Sequence, residues 1–150
     1  PDSVLIIAGG GPGRKDVESL VDSSSVKDSI ILLGNIADPS KLYSAMDCFV
    51  FPSKHEGLGI VLVEAQLAGL DCFVSSDVPN AARVSDRFHP ISLSRPAVDW
   101  AAEISMAAAH PHDRTRCNFH AAELKRFDVR TSYRILEGAY EVALAQGGRK

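Results

Sequence analysis

Four short apolar runs that do not alternate with polar residues constrain this chain most: Ser3-Val4-Leu5-Ile6-Ile7-Ala8, Ser29-Ile30-Ile31-Leu32-Leu33, Asp47-Cys48-Phe49-Val50-Phe51 and Asp71-Cys72-Phe73-Val74-Ser75. A strand with one wet face alternates and a strand covered on both faces does not, so each run predicts a buried strand of a parallel sheet. Helical segments lie between them. Asp16 to Val21 places apolar side chains at 17, 20 and 21, and Pro39 to Met46 follows Asp38 as N-cap, with Pro39 at the first helical position. Ile60 to Ala68 is apolar almost all round and stops at Gly69, a C-terminal cap. This alternation predicts an α/β fold, a Rossmann-like doubly wound parallel sheet flanked by helices. Ligands of such sheets bind at the rim where strands end and helices begin.

Past residue 76 the pattern loosens. A short strand-like Ile91-Ser92-Leu93 precedes a C-terminal third that reads as mostly helix, with apolar positions at Val98, Trp100, Ala101 and Ile104, at Phe119, Ala122 and Leu124, and at Tyr133, Leu136, Tyr140 and Leu144. Gly147 to Lys150 reads as a frayed tail. The 150 residues suit one domain, 1–150, around one core. A net charge of −3 provides no basic footprint, which argues against nucleic acid as a partner. No apolar run approaches the ~18 residues of a membrane-spanning helix, and the first residues lack a secretion signal, so a cytoplasmic location is expected. Of three cysteines, Cys48 and Cys72 lie inside apolar runs and read as reduced core residues.

Two strand-to-helix loops offer chemistry. The first is Gly9-Gly10-Gly11-Pro12-Gly13, where glycines permit positive φ and close approach of a ligand to the backbone. It matches neither the P-loop nor the dinucleotide fingerprint, and a tight surface turn accounts for it equally well. The second is His55-Glu56-Gly57-Leu58-Gly59-Ile60-Val61, ahead of Glu64. Its glycines let the chain turn and present the N–H groups of Gly59, Ile60 and Val61 to an anion, with the helix dipole adding roughly half a positive charge. Glu56 outside the helix and Glu64 about one turn inside it are acceptors suited to ligand hydroxyls. Glu56 could instead simply complement the dipole. For Glu64 that explanation is weaker, because its apolar neighbours leave almost no polar face and a buried carboxylate needs a partner.

Glu56 and Glu64, with seven residues between them, stand inside Phe49-Val50-Phe51-Pro52-Ser53 followed by Glu56-Gly57-Leu58-Gly59, and then Glu64-Ala65-Gln66 and Gly69. This pattern resembles the donor-binding signature of retaining GT-B glycosyltransferases of family four (glycosyl transferases group 1). Ile6-Ile7-Ala8-Gly9-Gly10-Gly11-Pro12, Leu33-Gly34-Asn35 and Leu42-Tyr43-Ser44-Ala45-Met46-Asp47 are similar to that family's segments in the same order, most of all to exopolysaccharide and capsule enzymes. The resemblance implies the C-terminal, nucleotide-sugar-binding lobe of a two-lobed hexosyltransferase, with the start of this lobe and the N-terminal acceptor lobe absent, and little or no transfer by this chain alone. It implies that Glu56 is catalytic and holds sugar hydroxyls, that Gly57, Leu58, Gly59, Ile60 and Val61 hold the diphosphate, and that Glu64 binds the ribose. Asn35 and Ile36 would lie by the base, and Gly9, Gly10 and Gly11 would line the cleft. The partners implied are a nucleotide diphosphate sugar, the other lobe, and a sugar or lipid-linked sugar acceptor. Any membrane association, at the inner face, would lie in the missing lobe.

The sequence contains no Asp-x-Asp, so neither metal nor cofactor is expected, and the helix dipole with basic side chains would meet the diphosphate charge. His110, His112, Cys117 and His120 are four potential metal ligands within eleven residues, with 117 and 120 on one helix face, but their spacing matches no standard zinc site. The alternatives are the dinucleotide-binding domain of an oxidoreductase, for which the glycine run speaks, and a sugar-nucleotide epimerase lobe.

Overall fold

The computed structural model describes residues 3–110 and 113–147. The fold is α/β, with parallel sheets and flanking helices, and its contacts divide the chain into two compact units, Pro1–Leu42 and Tyr43–Lys150. The tail residues 148–150 fall outside the described part, while the last helix continues to Gly147.

In the first unit, β1 (Leu5–Ala8) pairs in parallel with β2 (Ile30–Gly34), and α1 (Arg14–Asp22) connects them. The register shifts between Ile7 and Ala8, so that Ala8 faces Gly34. Arg14 pairs with Glu18 one turn on, at 2.7 Å. The short α2 (Ser40–Ala45) is preceded by Asp38, whose carboxylate accepts from the Ser40 N–H as an N-cap does, in agreement with Pro39 at the first helical position.

In the second unit, β3 (Cys48–Phe51), β4 (Asp71–Ser75) and β5 (Phe88–Ile91) form a parallel sheet in that order. All five residues of β4 are buried. Successive strand side chains point to opposite faces. Cys72 and Val74 accordingly join Tyr43, Leu62, Ala65 and Phe88 in one cluster, beneath α3 (Ile60–Leu67), while Phe73 joins Ile91 and Trp100 in another, beneath α4 (Ala97–Ala109). Burial pushes the Cys72 thiol well above its ordinary value, and burial with the nearby Asp47 raises Cys48. Both are protonated thiols; Cys72 belongs to the core and Cys48 is half-buried.

α3 ends as its sequence predicts. Ala68 is the C-cap, Gly69 takes φ +75°, and the N–H groups of Gly69 and Leu70 bond to the carbonyls of Gln66 and Ala65. This is a Schellman closure, which only a residue tolerant of the left-handed region makes without strain. A Cβ at Gly69 would also lie 2.7 Å from the Arg114 carbonyl oxygen.

The fifth strand lies three residues earlier than expected, at Phe88–Ile91, because Pro90 makes this stretch read as a break. Cys72 and Ser76 donate to the carbonyls of Arg87 and Ile91, so the odd-numbered residues face β4 and Pro90 turns its ring nitrogen to the open edge, where no ladder bond is lost. At the foot of the sheet Asp71 holds Arg87 and His89, at 3.4 and 2.8 Å, and Arg87 also donates to the Asp113 carbonyl. Residues 113–120 run alongside: His120 N–H donates to the Val84 carbonyl, and Asp86 accepts from Asn118. The chain closes with α5 (Ala121–Leu124) and α6 (Val129–Gly147). Among the described residues, no helix is long and apolar enough to cross a membrane.

Candidate functional site

Both loops singled out in the sequence follow the carboxyl end of a parallel strand, where α/β sheets bind ligands. In the first unit the loop after β1 is tied to the end of β2 by a hydrogen bond from Gly9 N–H to the Gly34 carbonyl, 2.7 Å. Gly9 and Gly11 take φ +134° and +144°. Gly10 packs against Asn35 so closely that a Cβ there would lie 2.7 Å from its amide oxygen. The structure thus brings Asn35 to the glycine loop, while Ile36 next to it is solvent-exposed. The loop borders a cavity of about 390 Å³, lined also by Ile7, Arg14, Val17 and Leu32.

In the second unit the loop after β3 leads into α3 through Gly59, whose φ of +70° sets the entry angle. No side chain caps the first turn of α3, and the Leu62 N–H bonds back to the Gly59 carbonyl. Among the described residues the Ile60 and Val61 N–H groups have no backbone acceptor; Gly57, Leu58 and Ile60 are exposed and Val61 is half-buried, whereas Gly59 itself is buried.

The Tyr43 hydroxyl holds one of the two carboxylates, and the Ser53 hydroxyl has its single proton between the other and a backbone carbonyl. Ser53 Oγ lies 3.2 Å from Glu56 Oε1 and 3.1 Å from the His55 carbonyl oxygen, and Glu56 is half-buried. The Tyr43 hydroxyl donates to Glu64 Oε2 at 3.0 Å. Burial first, then the Glu64 carboxylate, pushes the Tyr43 phenol far above its ordinary value, so it stays a donor at every physiological pH. Among the described residues neither glutamate has a cationic partner.

Glu64 corrects the expectation of burial. Ile60, Glu64 and Leu67 form the exposed face of α3, with Ile60 and Leu67 each 52% accessible, whereas Leu62, Val63, Ala65 and Gln66 face inward. The buried polar group of this helix is Gln66, fully inaccessible, and its amide is completely satisfied. Nε2 donates to the carbonyls of Leu62 and Ala82, and Oε1 accepts from Val84 N–H, Ser85 N–H and Ser85 Oγ at 3.0 to 3.1 Å. Sequence reasoning missed Gln66, Tyr43 and Ser53 as partners. The one available signal was that a tyrosine inside an apolar segment needs a partner for its hydroxyl.

The potential metal ligands are not gathered. Cys117 and His120 do not share a helix: Cys117 follows a 3-10 turn and approaches Asp86 at 3.7 Å, and His120 is the N-cap of α5. His112 lies outside the described residues. Among those that are described, no three His, Cys, Asp or Glu side chains converge.

Parallel strands flanked by helices, with glycine loops at the strand ends, define the class of an α/β domain. The comparisons make it particular: residues 1–108 match the family model for glycosyl transferases group 1, and the chain belongs to that family. EpsF of Bacillus subtilis (strain 168), which carries a glycosyltransferase name, is 35% identical over 106 residues, 70% of this chain and 28% of EpsF. The UDP-Gal:alpha-D-GlcNAc-diphosphoundecaprenol alpha-1,3-galactosyltransferase of Escherichia coli is 36% identical over 89 residues, 59% of this chain and 23% of that protein. Among solved structures, the pneumococcal O-GlcNAc transferase GtfA, crystallised with UDP and GlcNAc, superposes with a TM-score of 0.52 at 27% identity, covering 70% of this chain and 21% of GtfA. The matched region is under a third of each of these relatives.

Proposed function

We propose that this chain is the donor-binding lobe of a glycosyltransferase that transfers a sugar from a nucleotide diphosphate sugar to an acceptor hydroxyl with retention, in polysaccharide biosynthesis. The observation that carries this reading is the arrangement around α3. A helix without a side-chain N-cap is entered through a left-handed glycine, with Glu56 ahead of it and Glu64 on its second turn; Glu64 is held by the Tyr43 hydroxyl, and among the described residues neither carboxylate is paired with a cation. Helix amides and the dipole suit a diphosphate, and carboxylates without cationic partners suit neutral hydroxyls, so the set matches a ligand that carries both.

In this reading Gly57 to Val61 hold the diphosphate, Glu64 accepts from the ribose hydroxyls and Glu56 from the sugar. Negative charge that develops on the leaving diphosphate meets preorganised N–H donors. Asn35 and Ile36 lie by the base, Gly9 to Gly11 line the cleft, and no metal is required. A second lobe supplies the sugar or lipid-linked acceptor. The Escherichia coli relative's name, which includes a diphosphoundecaprenol-linked acceptor, and the UDP bound to GtfA support these ligand classes.

The test is an NMR titration of the isotopically labelled protein with UDP, GDP, their sugar conjugates and NADH. Amide shifts concentrated at Gly57 to Val61 with one nucleoside diphosphate are expected, with affinity falling about tenfold or more in Glu64→Ala, the scale of lost hydrogen bonds to a charged group. Shifts with NADH alone would instead mark a dinucleotide oxidoreductase.

A further inference from the structure

We infer that Tyr43 is a positioning residue for Glu64: its fixed hydroxyl holds one carboxylate oxygen so that the other is aimed at the vicinal diol of the donor's ribose. This rests on the reading of Glu64 as the ribose acceptor and adds the group that makes it selective.

Glu64 lies on an exposed helix face, where a glutamate side chain is free to sample several rotamers and ordering it on binding costs up to ~2 kcal/mol. Tyr43 has no such freedom. It is 6% exposed, its ring meets Phe49 edge-on with centroids 6.0 Å apart, and the Arg114 guanidinium donates to the carbonyls of Tyr43 and Ser44 at 3.5 and 3.2 Å. The phenol has a single proton. It goes to Glu64 Oε2 at 3.0 Å rather than to the Val61 carbonyl at 3.5 Å. Glu64 Oε1 has no protein partner among the described residues, so the restrained carboxylate presents one oxygen already oriented to accept. An acceptor oriented before binding favours a ligand with hydroxyls at that spot over one without them, because the ordering cost no longer falls on the complex.

Discrimination therefore reads out the role. Dissociation constants of UDP and GDP, and of their 2′,3′-dideoxy counterparts, are measured on the intact protein and on Tyr43→Phe, Glu64→Ala and the double variant. Tyr43→Phe keeps the buried ring and is expected to weaken the ribonucleotide that binds by about threefold to tenfold while leaving its dideoxy analogue within about twofold. In the Glu64→Ala background the same change is expected to have no effect on either. Equal weakening of both nucleotides by Tyr43→Phe, or a full effect without Glu64, would show a packing role and overturn the inference. Loss of discrimination in Glu64→Ala with Tyr43→Phe inert overturns the positioning role alone. Discrimination that survives Glu64→Ala, or no saturable binding of either diphosphate, overturns the donor-site reading and this inference with it.

Discussion

The strand pair β1–β2 and the sheet β3–β4–β5 are composed of the same kinds of residue and end in different surroundings. Among the described residues of the first unit only Gly34 is buried, and Leu5, Ile31 and Leu33 are 44 to 50% exposed. In the second unit β4 is buried along its whole length, packed by α3 on one face and α4 on the other. A run without alternation thus marks a strand that can be buried on both faces, and the burial comes only where two layers cover it. The stabilising core belongs to the second unit, while the first presents a glycine loop on a thin parallel pair.

Gln66→Ala offers the sharpest contrast. It leaves Val84 N–H, Ser85 N–H and the Ala82 carbonyl without their partner in a dry core, and we expect a loss of about 4 kcal/mol or more, seen as a collapse of the urea midpoint. A loss under about 1 kcal/mol would show that the network is not what fixes the second unit. Next comes a matched pair of truncations. Leu62→Ala, at a position with no accessible surface, is expected to cost about 3 kcal/mol, against under about 1 kcal/mol for Leu33→Ala, which is 46% exposed. Equal costs in denaturant titration would break the comparison. The smallest effect separates two left-handed glycines. Gly34→Ala meets the movable Arg14 guanidinium and should cost about 1 kcal/mol, whereas Gly69→Ala meets the Arg114 backbone and should cost about 2 kcal/mol. Thermal melts of the two variants give the order directly.

Four of the five strands were legible within about two residues, because double-sided burial leaves a continuous apolar run, and the end of α3 was legible because Gly69 is the natural residue for its closure. β5 was misplaced because a proline at a sheet edge looks, in sequence, like a proline in a loop. The site was half legible. Glu56, Glu64 and the glycines stood out by type and spacing, but the exposed face of α3 consists of Ile60, Glu64 and Leu67, so hydrophobicity gave no hint that Glu64 faces water. Gln66 was hidden for the opposite reason, since its partners Ala82, Val84 and Ser85 are backbone and hydroxyl groups 16 to 19 residues away that only the fold brings near. Tyr43 is likewise brought to Glu64 by the fold, from 21 residues away, whereas Ser53 and Glu56 are three residues apart in one loop.

An open parallel edge is a template on which another chain can add a strand, and crowded solutions select for edges that refuse it. Pro90 removes a donor from the outer side of β5, the position where an incoming strand would need one. The same residue that disguised the strand in the sequence therefore keeps it from recruiting neighbours, and it does so without weakening the bonds that hold β5 to β4.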